Sequence, residues 1–142
     1  MAVEKSTCAL IADQHTVFVE GLRDLLRTEF NSVYIVGDAN SLRDGAHRLH
    51  PTVIVVDISS ARNEALELIA AMREISPASK LITLTTHDEP GIAEMAFSAG
   101  ADAVVLKRCV AVDLMDAVDA VRQNRKFVSR DMGAVVPQSV SS

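Results

Sequence analysis

Two apolar runs of strand length, Val53-Ile54-Val55-Val56 and Leu81-Ile82-Thr83-Leu84, show no polar alternation. A strand with one wet face alternates with a period of two. A continuous run is buried on both faces, as in a parallel sheet covered by helices on each side. Along the 142 residues, strand and helix patterns alternate five times. Strict alternation brings right-handed crossovers and a doubly wound α/β domain.

The strand patterns cover Thr7 to Ala12, Val33 to Gly37, Thr52 to Asp57, Lys80 to Thr85 and Ala101 to Leu106. Helical spacing predicts helices over Thr16 to Thr28, Ser41 to Leu49, Asn63 to Ile75, Asp88 to Gly100 and Val112 to Asn124. Ser41 reads as an N-cap, and Asp88 with Pro90 as a cap and first turn. The five-strand form of this architecture is flavodoxin-like, with order 2-1-3-4-5 and its switch point between the first and third strands. Residues 1–126 form the domain in this reading. Residues 127–142 lose the periodicity and read as linker or C-terminal tail.

Four of the strands end on polar residues of different kinds: Asp13, Asp57, Thr85 and Lys107. Ligands of open parallel sheets sit at the carboxyl ends of the strands. Asp13 and Asp57 end the two strands that flank the switch point, so they are expected to face each other there. Two carboxylates, a hydroxyl and an ammonium on one edge suit a divalent cation and a phosphoryl group.

Composition excludes other classes. The net charge of −5 disfavours direct nucleic-acid contact by this domain, and 4% aromatics with no Trp give no stacking platform for bases. No apolar run has transmembrane length and no signal-peptide pattern stands at the start, which predicts a cytoplasmic protein without membrane contact. Cys8 and Cys109 lack metal-ligand spacing; Cys8 reads as core. There is no Gly-x-Gly-x-x-Gly or Walker loop, so no nucleotide enzyme is expected. Asp13-Gln14-His15 approaches a cobalamin-binding pattern, but Phe18 fills the position where that pattern needs glycine. Arg122, Arg125, Lys126 and Arg130 suit the carboxyl end of the last helix.

The stretches Leu10-Ile11-Ala12-Asp13-Gln14-His15, Glu20-Gly21-Leu22, Leu84-Thr85-Thr86-His87-Asp88, Ala99-Gly100-Ala101-Asp102 and Ala120-Val121-Arg122 to Phe127-Val128-Ser129 together resemble the receiver domain of two-component response regulators. The likeness is to receivers that precede a LuxR-type (NarL/FixJ-like) helix-turn-helix. It implies Asp57 as phosphoacceptor, Thr85 as switch hydroxyl and Lys107 as its cationic partner. It implies Mg²⁺ held by Asp13, Asp57 and the backbone carbonyl of Ser59. The implied partners are a histidine kinase or small phosphodonor, a second copy in a homodimer, and a DNA-binding effector domain outside this chain. The implied activity is a switch and not a turnover enzyme.

The chain departs from the family pattern at several positions. Gln14 replaces the second acid of the metal pair. Its amide oxygen can ligate Mg²⁺ without charge, a loss of about 1–3 kcal/mol or about 5- to 150-fold in affinity. Mg²⁺ binding is therefore expected to be weak. The loop Ile58-Ser59-Ser60-Ala61-Arg62-Asn63 lacks Pro and Gly, Val104 stands where an aromatic residue is common, and Arg108-Cys109 follow Lys107. The alternative is an atypical receiver that works as a phosphorylation-independent interaction module. His87, two residues after Thr85, is expected at the rim of the site.

Overall fold

The computed structural model describes residues 7–13, 16–58, 62–89, 91–130 and 132. Its elements are β1 (Cys8–Ala12), α1 (Thr16–Leu26), β2 (Ser32–Val36), α2 (Ala39–Leu49), β3 (Val53–Asp57), α3 (Arg62–Ile75), β4 (Lys80–Thr85), α4 (Ile92–Ala99), β5 (Ala103–Leu106), α5 (Val110–Arg122) and β6 (Phe127–Val128). A 3₁₀ turn, Lys107–Cys109, joins β5 to α5.

The sheet is parallel throughout, in the order β2-β1-β3-β4-β5-β6. The flavodoxin-like arrangement expected from the runs is present, with one strand more than the five expected. Phe127 and Val128 pair with Ala103 and Val104 on the outer edge of β5. Residues 127 and 128 therefore belong to the sheet, although their run is too short to show a period. Residues 133–142 lie outside the described residues.

The pleat sorts the strands' side chains onto two faces. Leu10, Ile54, Val56, Leu81, Val104 and Leu106 meet Leu42, Ala46, Ile69, Met72 and Ala93 of α2, α3 and α4. Ile11, Val53, Val55, Ile82, Leu84 and Val105 meet Val19, Leu22 and Leu26 of α1 and Leu114, Ala117 and Val121 of α5. Every residue of β3 from Val53 to Val56 is buried, as the continuous run requires. Gly45 of α2 lets that helix settle on β1, since a Cβ there would stand 3.1 Å from Leu10 Cδ2. Cys8 is half-buried; burial pushes its thiol up from the ordinary value, and a hydrogen bond from the Thr52 backbone pulls the other way.

Two helix caps differ from expectation. The cap of α2 is Asp38, whose carboxylate accepts from the Ser41 N–H at 2.7 Å. Ser41 lies inside the first turn. Both residues are good caps, and the earlier one wins because Asp38 also brings negative charge to the helix N-terminus. The cap of α4 is Gly91, with φ at 98°. Asp88 stays in the preceding loop, and Pro90 lies outside the described residues.

Two outcomes follow from this packing. Ile54→Ala removes a fully buried side chain, and urea unfolding should show a loss of about 3 kcal/mol. Asp38→Ala lowers the Tm at neutral pH, because hydrogen bonds from Ser41 hold the Asp38 carboxyl below its usual range. A carboxyl whose folded pKa is depressed stabilises above its unfolded pKa, and that contribution is lost as pH falls through the folded value. The Tm gap between variant and wild type should thus close as the solution is acidified below the usual carboxylate range.

Candidate functional site

The register of the sheet gathers the polar strand ends. Ala12 pairs with Val56, so Asp13 and Asp57 leave adjacent strands side by side. Asp57 pairs with Leu84, and Thr85 with Leu106. Lys107 is thereby carried to the same edge, one residue past the end of β5. The backbone around the acids is held by the ladder: Ile58 N–H donates to Leu84 O at 2.8 Å and Asp13 N–H to Val36 O at 3.4 Å.

Lys107 Nζ donates to Asp57 Oδ2 at 2.7 Å and lies 3.4 Å from Asp13 Oδ2. The three side chains are 11%, 10% and 1% exposed, in the order Lys107, Asp57, Asp13. One ammonium thus serves two poorly hydrated carboxylates. Formally the trio keeps an excess of one negative charge. Lys107 Nζ also lies over the aromatic ring of Phe18 on α1, 4.4 Å from the ring centroid. A cation over an aromatic face is attracted by the ring quadrupole. Phe18 therefore gives the ammonium a second support beside the carboxylates.

Thr85 is fully buried. Its Oγ1 accepts from the His87 N–H at 3.0 Å, so the hydroxyl is engaged by the loop that follows β4. His87 is partly exposed beside it, with Nδ1 3.8 Å from Glu89 Oε1. Arg108 reaches across to Asp88 at 3.3 Å and ties the loop after β4 to the turn after β5. Both partners are about half exposed, so this pair contributes little to stability.

Asp13, Asp57 and Lys107 are brought into direct contact, and Thr85 stands on the strand between those of Asp57 and Lys107. Gln14 and Ser59 lie outside the described residues. Among the described residues no group of three or more His, Cys, Asp or Glu could hold a metal ion. Asp13 and Asp57 alone offer hard oxygen donors with a surplus of negative charge, which fits a Mg²⁺ that keeps several waters and takes one or two carboxylates. The sequence marked Phe18 only as the residue that excludes a cobalamin-binding pattern, and did not point to its contact with Lys107. Its position five residues after Asp13, on the first turn of α1, is the only signal available.

The basic cluster at the end of α5 is distributed over partners within the chain. Arg122 lies over the Phe30 ring and beside Glu29, and Lys126 lies beside Asp102. Among the described residues no helix is long and apolar enough to cross a membrane.

Comparison with known proteins agrees with this geometry. The model of the response regulator receiver domain matches residues 9–119. The chain is 27% identical over 138 residues to the transcriptional regulatory protein RcsB of Escherichia coli K12, covering 93% of this chain and 60% of RcsB. It is 30% identical over 122 residues to the nitrate/nitrite response regulator protein NarP of the same organism, covering 84% of this chain and 57% of NarP. The chain thus spans about 60% of the length of the curated relatives it matches. Among solved structures, the non-phosphorylated receiver domain of E. coli RcsB superposes with a TM-score of 0.74 at 25% identity, covering 89% of this chain and 100% of that one. A LuxR-family response regulator from Aurantimonas sp. SI85-9A1 gives 0.80 at 23% identity, covering 90% and 93%.

Gln14→Asp restores the second acid that the family resemblance expects beside Asp13. Titration with Mg²⁺ should show affinity rising about 5- to 150-fold over the wild type.

Proposed function

Since this chain belongs to the response regulator receiver domain family, we propose that it is a phosphoacceptor switch in two-component signalling, charged on Asp57 by a histidine kinase or a small phosphodonor. The observation that carries this reading is the buried Lys107 bridge, with Nζ 2.7 Å from Asp57 and 3.4 Å from Asp13.

A carboxylate is a competent nucleophile for an aspartyl-phosphate. An Asp57 oxygen attacks the donor's phosphorus, the new O–P bond forms, and the bond from phosphorus to the donor's leaving group breaks with its electron pair. Phosphoryl transfer asks the protein for positioning and for charge stabilisation. Lys107 supplies both. It orients the carboxylate through Oδ2, and its ammonium neutralises charge on the phosphoryl oxygens. Asp13, Asp57, the Ser59 carbonyl and Gln14 would hold Mg²⁺, which supplies further neutralisation of the phosphoryl oxygens when bound. Thr85 turns its hydroxyl proton from the His87 carbonyl, 3.4 Å away, to a phosphoryl oxygen. That exchange draws the loop after β4 inward, and Asp88 carries the movement to Arg108 and the face formed by α4, β5 and α5.

The readout we propose is a change in dimer or partner contacts on that face. Regulation of transcription would be executed by a DNA-binding effector outside the matched region, in keeping with the regulators RcsB and NarP that the chain resembles. The working compartment on this reading is the cytoplasm.

Incubation with acetyl phosphate and Mg²⁺ tests it. Intact mass should show one phosphoryl adduct in the wild type and none in Asp57→Asn. Lys107→Ala should slow adduct formation by about 100-fold, the range seen when one preorganised donor is removed. An adduct that persists in Asp57→Asn contradicts the assignment. If the wild type takes no adduct even at high Mg²⁺, the chain is instead a phosphorylation-independent interaction module.

A further inference from the structure

The last peptide of β5, one residue ahead of Lys107, is held by a side chain from the far end of the domain. Leu106, the last residue of β5, directs its N–H outward to the sheet edge, where β6 has already ended at Val128. Its acceptor is the hydroxyl of Ser129, at 3.0 Å. The same hydroxyl donates to Asp113 Oδ2 in the first turn of α5, at 2.8 Å. A hydroxyl offers one donor and two acceptor sites, so Ser129 closes the strand ladder and the helix start at once.

The segment that carries Ser129 is firmly seated. Phe127 N–H donates to Asp102 O at 3.2 Å and Ser129 N–H to Val104 O at 2.9 Å. Ser129 is 1% exposed, and Met132 is 7% exposed within the core cluster that includes Ile92, Ala96 and Leu106. Lys126 Nζ sits 5.7 Å from the Phe97 ring centroid, on the neighbouring helix. Residues 127–130 and Met132 therefore lie along the edge of β5, and the Ser129 hydroxyl joins them to the end of the strand that carries Lys107.

We infer that Ser129 is a positioning residue for Lys107, and that docking of the segment formed by residues 127–130 and Met132 is coupled through it to occupancy of Asp57. This rests on Asp57 being the phosphoacceptor. With the segment docked, the Leu106 peptide is fixed and the Lys107 ammonium is held at the acceptor carboxylate. A phosphoryl group on Asp57 anchors Lys107 more strongly than the bare carboxylate does, which fixes the Leu106 peptide and with it the segment. Coupling between two sites is reciprocal.

Wild type, Ser129→Ala and Ser129→Thr are compared by adduct formation with acetyl phosphate and by amide exchange of residues 126–132. Ser129→Ala should lower the maximal rate of adduct formation about ten-fold, leave half-saturating acetyl phosphate unchanged, and speed exchange of the segment. Ser129→Thr, which keeps the hydroxyl, should restore both to within about two-fold. Adduct formation in the wild type should slow exchange of the segment about five-fold, and that slowing should vanish in Ser129→Ala. Should Ser129→Ala fail to fold, Asp113→Ala unties the same hydroxyl from α5 and should move both readouts in the same direction. A wild-type adduct rate in a Ser129→Ala protein whose segment exchanges faster overturns the coupling, as does faster exchange on adduct formation. If the wild type takes no adduct, the phosphoacceptor reading fails by itself. Exchange in unmodified Lys107→Met then decides the coupling: faster exchange of residues 126–132 upholds it, and an unchanged rate overturns it.

Discussion

The ammonium of Lys107 is the interaction on which the functional edge depends. Two carboxylates at adjacent strand ends, each at most a tenth exposed, repel each other and have lost most of their water. Desolvation of a buried ion pair offsets much of its Coulomb attraction, so this bridge is poor evidence for extra stability. What it contributes is geometry. It holds the Asp57 carboxylate in one orientation, and it stands where incoming negative charge can be received. The Phe18 ring lies beside the ammonium, and Ser129 holds the Leu106 N–H one residue before it in the chain.

The fold explains why such a cluster forms at all. A parallel sheet buried on both faces leaves only its strand ends open to ligands. The cores on its two faces are made of interdigitating side chains from six strands and five helices. They fix the relative heights of β1, β3, β4 and β5 and hence the distances among Asp13, Asp57, Thr85 and Lys107. The polar cluster is therefore positioned by apolar packing remote from it. The loops that surround it, by contrast, are tied by exposed contacts such as Arg108–Asp88, which are weak enough to rearrange.

Most of this arrangement is legible from residue order. Unbroken apolar runs in β3 and β4 are compatible with little else than a parallel sheet, and the polar residues that end the runs mark the edge. What escaped was local or spread over long sequence separations. Two-residue β6 has no period to read, and its pairing depends on β5 being an open edge. The start of α2 offered two capping residues three apart, and only the three-dimensional start shows that Asp38 is the one in use. Phe18 satisfies a helix stripe and a cation at once, and only the second role concerns the site. Ser129 reads as one more serine of a polar tail until its hydroxyl is seen between Leu106 and Asp113.

The most direct test of the central claim is to trap the acyl phosphate chemically. The protein is treated with acetyl phosphate and Mg²⁺, reduced with borohydride, and mapped by peptide mass spectrometry. An aspartyl-phosphate is reduced at its carbonyl carbon to homoserine, whereas a free carboxylate is not. The account predicts homoserine at residue 57 and at no other aspartate. Homoserine at another aspartate, or an unmodified Asp57 in protein that carries a phosphoryl group, would contradict it.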